Sequence, residues 1–200
     1  GTVVPDPLKP TTVYGVGYGA GQGNGLIKID LATGQWGNVA PNFGADSGLY
    51  TAGRDFWKRF DTAFDAKALY VGYNCILVTR DGAQTWKAFS PDLTTPKGQP
   101  MVPCGVAPAA TAAPRPGTPA PTPATPTPTP AAPAGARPAL PGAISDFSLS
   151  TVKQGVVWSG SSTGQIYNTM DGGKTWNNVS NFTDLPPNAN FVTVEAGHTD

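Results

Sequence analysis

The stretch that decides the fold is Thr169-Met-Asp171-Gly-Gly173-Lys-Thr175-Trp176. It follows the pattern Ser/Thr-x-Asp-x-Gly-x-Thr-Trp at every defined position, and each residue type has a mechanical reason to be there. An aspartate accepts backbone N–H bonds across a tight turn, glycine enters a backbone region closed to other residues, and tryptophan supplies a large apolar plate beyond the turn. A second copy, Thr79-Arg-Asp81-Gly82-Ala83-Gln-Thr85-Trp86, departs only where Ala83 replaces the later glycine. A looser relative, Asp30-Leu-Ala-Thr-Gly-Gln-Trp36, stands nearer the N-terminus.

Working outward, Trp36 and Trp86 lie 50 positions apart and Trp86 and Trp176 lie 90 apart. The second gap contains 37 residues, 105–141, that are almost wholly Ala, Pro, Thr and Gly, including Pro121-Thr-Pro-Ala-Thr-Pro-Thr-Pro-Thr-Pro130. Such a segment has little to bury, so it is expected to be a flexible, semi-extended insertion. Removing it leaves a spacing of 53, and hence a repeat of about 50 residues, in the range of β-propeller blades.

Each repeat has the same order. An aromatic-bearing apolar strand comes first: Val13–Tyr18, Leu69–Tyr73 and Val156–Gly160. A second strand runs into the turn: Leu26–Asp30, Ile76–Asp81 and Gln165–Asp171. A third carries the tryptophan: Gln35–Val39, Thr85–Phe89 and Thr175–Val179. Gly142–Ser150 supplies an innermost strand for the last complete repeat, and Phe191–Ala196 is expected to start the inner strand of the next. The expected fold is therefore all-β: a partial propeller of four-stranded blades, with a weak blade and a fuller one in 1–104, the insertion in 105–141, and a further blade plus the start of another in 142–200. A propeller closes with about four to eight blades, so more blades or neighbouring chains are expected to complete the ring.

The two turns resemble the Asp box. The wider chain, including Asp6–Tyr14, Ser90-Pro-Asp-Leu-Thr94, Thr169–Val179 and Leu185-Pro186, resembles bacterial sortilin-type or BNR-repeat propellers, which are commonly labelled glycosyl hydrolases. That resemblance implies an exported protein. Related Asp-box propellers include sialidases, oligoxyloglucan-specific glucanases, sortilin receptor domains and a photosystem II assembly factor, so it does not choose between enzyme and binding module. The box residues Thr79, Asp81, Gly82, Thr85, Trp86, Thr169, Asp171, Gly173, Thr175 and Trp176 are expected to be structural.

Composition narrows the choices. Lys plus Arg equals Asp plus Glu at 13 each, which gives no electrostatic case for nucleic acid. No apolar run approaches membrane-span length. Cys75 lies in an apolar strand and Cys104 at the mouth of the insertion; a buried free thiol with a chance partner is the favoured reading and a disulfide the alternative, so cysteine does not fix the compartment. The Pro/Thr insertion points to an extracytoplasmic address.

Catalytic sets are sparse. The five arginines, Arg54, Arg59, Arg80, Arg115 and Arg137, show no sialidase-like context. Glu195 is the sole glutamate, and a two-carboxylate glycosidase needs two acids across the scissile bond. Asp146, on an inner strand, is the aspartate positioned to face a central channel, against the plainer expectation of a solvated strand carboxylate. His198 follows an alternating strand near the channel mouth, but no second His or Cys gives metal-ligand spacing. No cofactor or metal is expected. The glycine run Gly15–Gly25 has glycines only on odd positions, never G-x-G-x-x-G, and is taken as a hairpin loop. The expected function is a non-catalytic segment holding protein or glycan, with a sialidase- or glucanase-like hydrolase completed by further blades as the alternative.

Overall fold

The computed structural model describes residues 3–17, 25–41, 58–104, 142–181 and 189–197. The insertion 105–141 and His198 lie outside them. Among the described residues twelve strands form three four-stranded antiparallel sheets, each a meander in chain order. Blade 1 comprises β1 (Val4–Pro5), β2 (Thr12–Gly17), β3 (Gly25–Asp30) and β4 (Trp36–Asn38). Blade 2 comprises β5 (Lys58–Asp61), β6 (Asp65–Gly72), β7 (Ile76–Thr79) and β8 (Lys87–Ala88). Blade 3 comprises β9 (Ile144–Leu149), β10 (Val157–Ser161), β11 (Ile166–Thr169) and β12 (Asn177–Asn178). The first strands of the three sheets lie beside one another, β1 against β5 and β5 against β9. Three meanders set side by side about their first strands make a partial β-propeller, and no helix occurs among the described residues.

Alternation along blade 2 explains how the blades adhere. Side chains of a strand point to opposite faces in turn. Leu69, Val71 and Leu77 therefore enter one core with Tyr14 and Leu26 of blade 1. Ala68, Tyr70, Ile76 and Val78 enter a second core with Ile144, Phe147 and Val157 of blade 3. Both faces of the sheet are dry, which is why β6 and β7 read as nearly continuous apolar runs. Each of the Leu, Ile, Val and Phe side chains among them contributes about 1.5–3 kcal/mol when fully buried.

Three expectations are corrected. The front blade is not the weak one in strand count, since β1 and β5 complete four strands in blades 1 and 2 alike. Phe191–Ala196 pairs with no strand among the described residues. It instead covers β10, where a Cβ at Gly160 would come within 2.7 Å of Val194 and 2.8 Å of Phe191.

The third correction concerns the cysteines: Cys75 and Cys104 form a disulfide, with Cα atoms 5.9 Å apart. Segment 91–104 folds back on the turn before β7, which brings the two together. Leu93 N donates to Asn74 O at 2.9 Å, Asn74 Nδ2 to Asp92 Oδ2 at 2.8 Å, and Asp92 N to Val102 O at 2.8 Å. The bridge closes a loop with a sequence separation of 29, for which the chain-entropy model gives about 3–4 kcal/mol. Cys104→Ala is accordingly expected to lower unfolding stability by that amount in urea titrations. Reductant should lower the parent protein equally and leave the variant unmoved.

Candidate functional site

Three groups of polar side chains carry the chemistry: the turns at the ends of β7 and β11, the junction of the inner strands, and two clefts beside that junction.

The turns close in the same way. Thr79 Oγ1 donates to Asp81 Oδ1 at 2.8 Å and accepts Ala83 N at 3.1 Å. Asp81 Oδ1 also accepts Gln84 N and Thr85 N at 2.9 Å each, and its Oδ2 takes the Thr85 hydroxyl. In blade 3, Thr169 Oγ1 donates to Asp171 Oδ1 at 2.8 Å and accepts Gly173 N at 3.0 Å. Asp171 accepts Thr175 N at 2.9 Å and Thr175 Oγ1 at 2.6 Å.

These donors hold both carboxyls ionised. The Thr85 hydroxyl and amide, then Thr79, pull Asp81 far below the usual carboxylate range. The Thr175 hydroxyl and amide pull Asp171 down to about 2. A carboxylate so saturated has no proton to give at neutral pH and cannot act as a general acid. Asp30 in the front turn is likewise lowered, by the Ala32 amide first and Lys9 second.

Glycine is needed here for two separate reasons. Gly82 and Gly172 sit at φ 71° and 75°, where a Cβ is strained. Gly173, at φ 85°, is also pressed against blade 2, since a Cβ there would lie 2.7 Å from Phe89 O. Ala83 occupies the corresponding place at φ 70°, a conformation costing about 1–2 kcal/mol for a residue with a Cβ. Its methyl is buried in the core between blades 1 and 2, which offsets part of that.

The tryptophans reach backward. Trp86 Nε1 donates to Val39 O of blade 1 at 3.0 Å. Trp176 packs edge-on against Phe89 of blade 2, centroids 6.0 Å apart. Trp36 has no earlier blade among the described residues and is 72% exposed.

At the inner-strand junction Asp146 overturns the expectation of a solvated or channel-facing carboxylate. It is fully buried. Arg59 on β5 donates through Nη2 to Asp146 Oδ1 at 3.1 Å and through Nε to Phe147 O at 2.7 Å. Asp146 also accepts Phe147 N at 2.8 Å and Val194 N at 3.0 Å. It thus ties blade 2, blade 3 and the 189–197 segment together.

Two clefts open beside this junction. The axial cleft, about 460 Å³, lies between the 58–63 segment, the 148–151 turn and Glu195, with Val3 and Val4 of blade 1 at its edge. The second, about 330 Å³, lies between blades 2 and 3 and includes Asp61, Phe64, Asp65, Arg80, Gln154 and Asp171 in its lining. Asp61, Leu149 and Ser150 border both. Glu195 is exposed at the axial cleft, so of the two singled-out positions that are described, Asp146 and Glu195, it is the one that reaches a cleft. Asp61 and Arg59 were missed. Their signal was the charged run Lys58-Arg-Phe-Asp61, whose strand is too short and polar to show periodicity. Among the described residues no cluster of three or more His, Cys, Asp or Glu could hold a metal, and no helix is long and apolar enough to cross a membrane.

No family model and no curated protein matches this chain. Among solved structures it is similar to a GH74 xyloglucanase from Xanthomonas campestris, at 14% identity and a TM-score of 0.47. The match covers 88% of this chain and 20% of the xyloglucanase, so the chain spans about a fifth of that protein's length.

Two outcomes are expected. Arg59→Met leaves a buried carboxylate without its cation, a loss of about 3 kcal/mol that denaturant unfolding would register. For the turn aspartates, the folded pKa lies below the unfolded value of 3.8. Their contribution is therefore complete above about pH 4 and is lost as pH falls toward about 2. Asp171→Asn should flatten the acid limb of thermal stability over that window; an unchanged limb would show that the turn does not couple to folding.

Proposed function

We propose that the chain is a glycan-binding segment of an exported, BNR or sortilin-like Asp-box propeller, with its ligand seated in the axial cleft. The observation that carries this reading is the withdrawal of Asp146 into a buried ion pair. The inner-strand carboxylate best placed for catalysis is thereby a structural tie, while the space beside it stays open. That space is concave, of ligand-binding size, and edged by the exposed hydroxyls of Thr62 and Thr151, groups able both to donate and to accept hydrogen bonds to sugar. The saturated turns support an architectural role for the Asp boxes. The disulfide supports an oxidising, extracytoplasmic compartment. The exposed Trp36 supports further blades, or a neighbouring chain, on the leading side.

One observation favours a second reading as a glycoside hydrolase: Asp61 and Glu195 border the same cleft. Screening the chain on a mixed glycan array, followed by product analysis, separates the two. Binding without bond cleavage, weakened several-fold by Thr151→Trp in the cleft, is the expected result. Release of shorter sugars that disappears in both Asp61→Asn and Glu195→Gln would establish the hydrolase instead.

A further inference from the structure

The cleft between blades 2 and 3 borders the blade-3 turn at Asp171 and Gly172 but takes no part in the disulfide or the Arg59–Asp146 tie, and its lining suits a ligand. One wall is apolar, with Phe64, Tyr70 and Phe89 beside Leu149. Phe64 is 40% exposed at the tip of the β5–β6 hairpin. Its backbone is fixed there because its amide donates to Asp61 Oδ1 at 3.0 Å. An exposed ring held on a tight hairpin is a platform for the apolar face of a sugar. The lining also has polar groups: Gln154 offers a carboxamide, and Arg80 is pinned to Asp65 at 2.7 Å. The 150–155 turn is set by Ser150 Oγ, which accepts the amides of Val152 and Lys153 at 3.2 and 3.1 Å.

Charge narrows the ligand. Asp61, Asp65 and Asp171 face a single guanidinium, that of Arg80, so the cleft carries net negative charge and repels an anionic sugar. Position narrows it further. The cleft adjoins the axial one at Asp61, Leu149 and Ser150, so one ligand can run from the axis across this border and onto Phe64.

We propose that the inter-blade cleft is a second subsite continuous with the axial cleft, and that the pair binds an extended neutral or amino-sugar oligosaccharide rather than a terminal acidic sugar. This rests on the glycan-binding reading above and deepens it. A longer chain gains contacts in the second cleft without paying association entropy twice, so affinity climbs with length until both clefts are filled.

The test is calorimetric titration of the chain with three length series, each from disaccharide to hexasaccharide: cello-oligosaccharides, glucosamine oligomers and oligogalacturonates. Affinity in the neutral or the amino-sugar series is expected to rise about tenfold or more from the shortest to the longest member. Phe64→Ala should remove that rise while leaving disaccharide affinity and thermal stability unchanged. The oligogalacturonates should bind weakest. Affinity independent of length, or a rise that survives Phe64→Ala, overturns the second subsite but leaves glycan binding at the axis standing. Tightest binding by the galacturonates overturns the charge argument and with it this proposal. Binding by no series overturns the glycan reading itself.

Discussion

Trp86 and Trp176 each pack onto the blade before their own, and the rest of the architecture depends on that backward contact. Trp86 donates to Val39 O and Trp176 lies edge-on against Phe89, so neighbouring blades are joined from the same repeat position, by a hydrogen bond in one case and a ring contact in the other. The turn exists to aim that ring. Its threonine and aspartate close the backbone, and the left-handed glycine removes a Cβ that would otherwise push the blade away. Ala83 shows how much tolerance the device has: the turn of blade 2 keeps its geometry at φ 70° with a methyl where blade 3 needs none. At Gly173 a methyl would collide with Phe89 O, and there glycine is required.

The same economy explains why the most recognisable motif says so little about chemistry. A carboxylate that accepts several N–H and O–H donors is spent on structure. Asp81 and Asp171 are spent on their turns, and Asp146 on Arg59 and two backbone amides. What remains for ligands are the spaces between structural units, at the axis and between blades 2 and 3.

The parts legible in the sequence are those whose signal is local. Trp36, Trp86 and Trp176 mark the repeat, and the apolar strands before them fall within a few residues of β2, β6 and β10. Strands β1 and β5 escaped because Val4–Pro5 is two residues long and Lys58–Asp61 is mostly charged, although Lys58 is only 1% exposed. The Arg59–Asp146 tie was invisible because its partners are separated by 87 positions, and no local pattern links them. The disulfide escaped for a related reason. Only the fold-back of 91–104 onto the 73–76 turn shows that Cys104 belongs to the blade rather than to the low-complexity stretch beside it. The clefts are formed by turns from different blades, so no single segment carries their signature.

The exposed ring of Trp36 gives the array a polarity. Blade 2 is gripped on both faces, by the cores it shares with blades 1 and 3, and blade 3 is gripped on one face and partly overlaid by 189–197 on the other. Among the described residues blade 1 is gripped on one face only. In a linear array of repeats each unit's stability is the sum of its own and its nearest-neighbour terms, so the three blades do not melt as equals. Among the three described blades the strongest resistance to local opening lies in the second, which makes the central sheet, with its disulfide, their clamp.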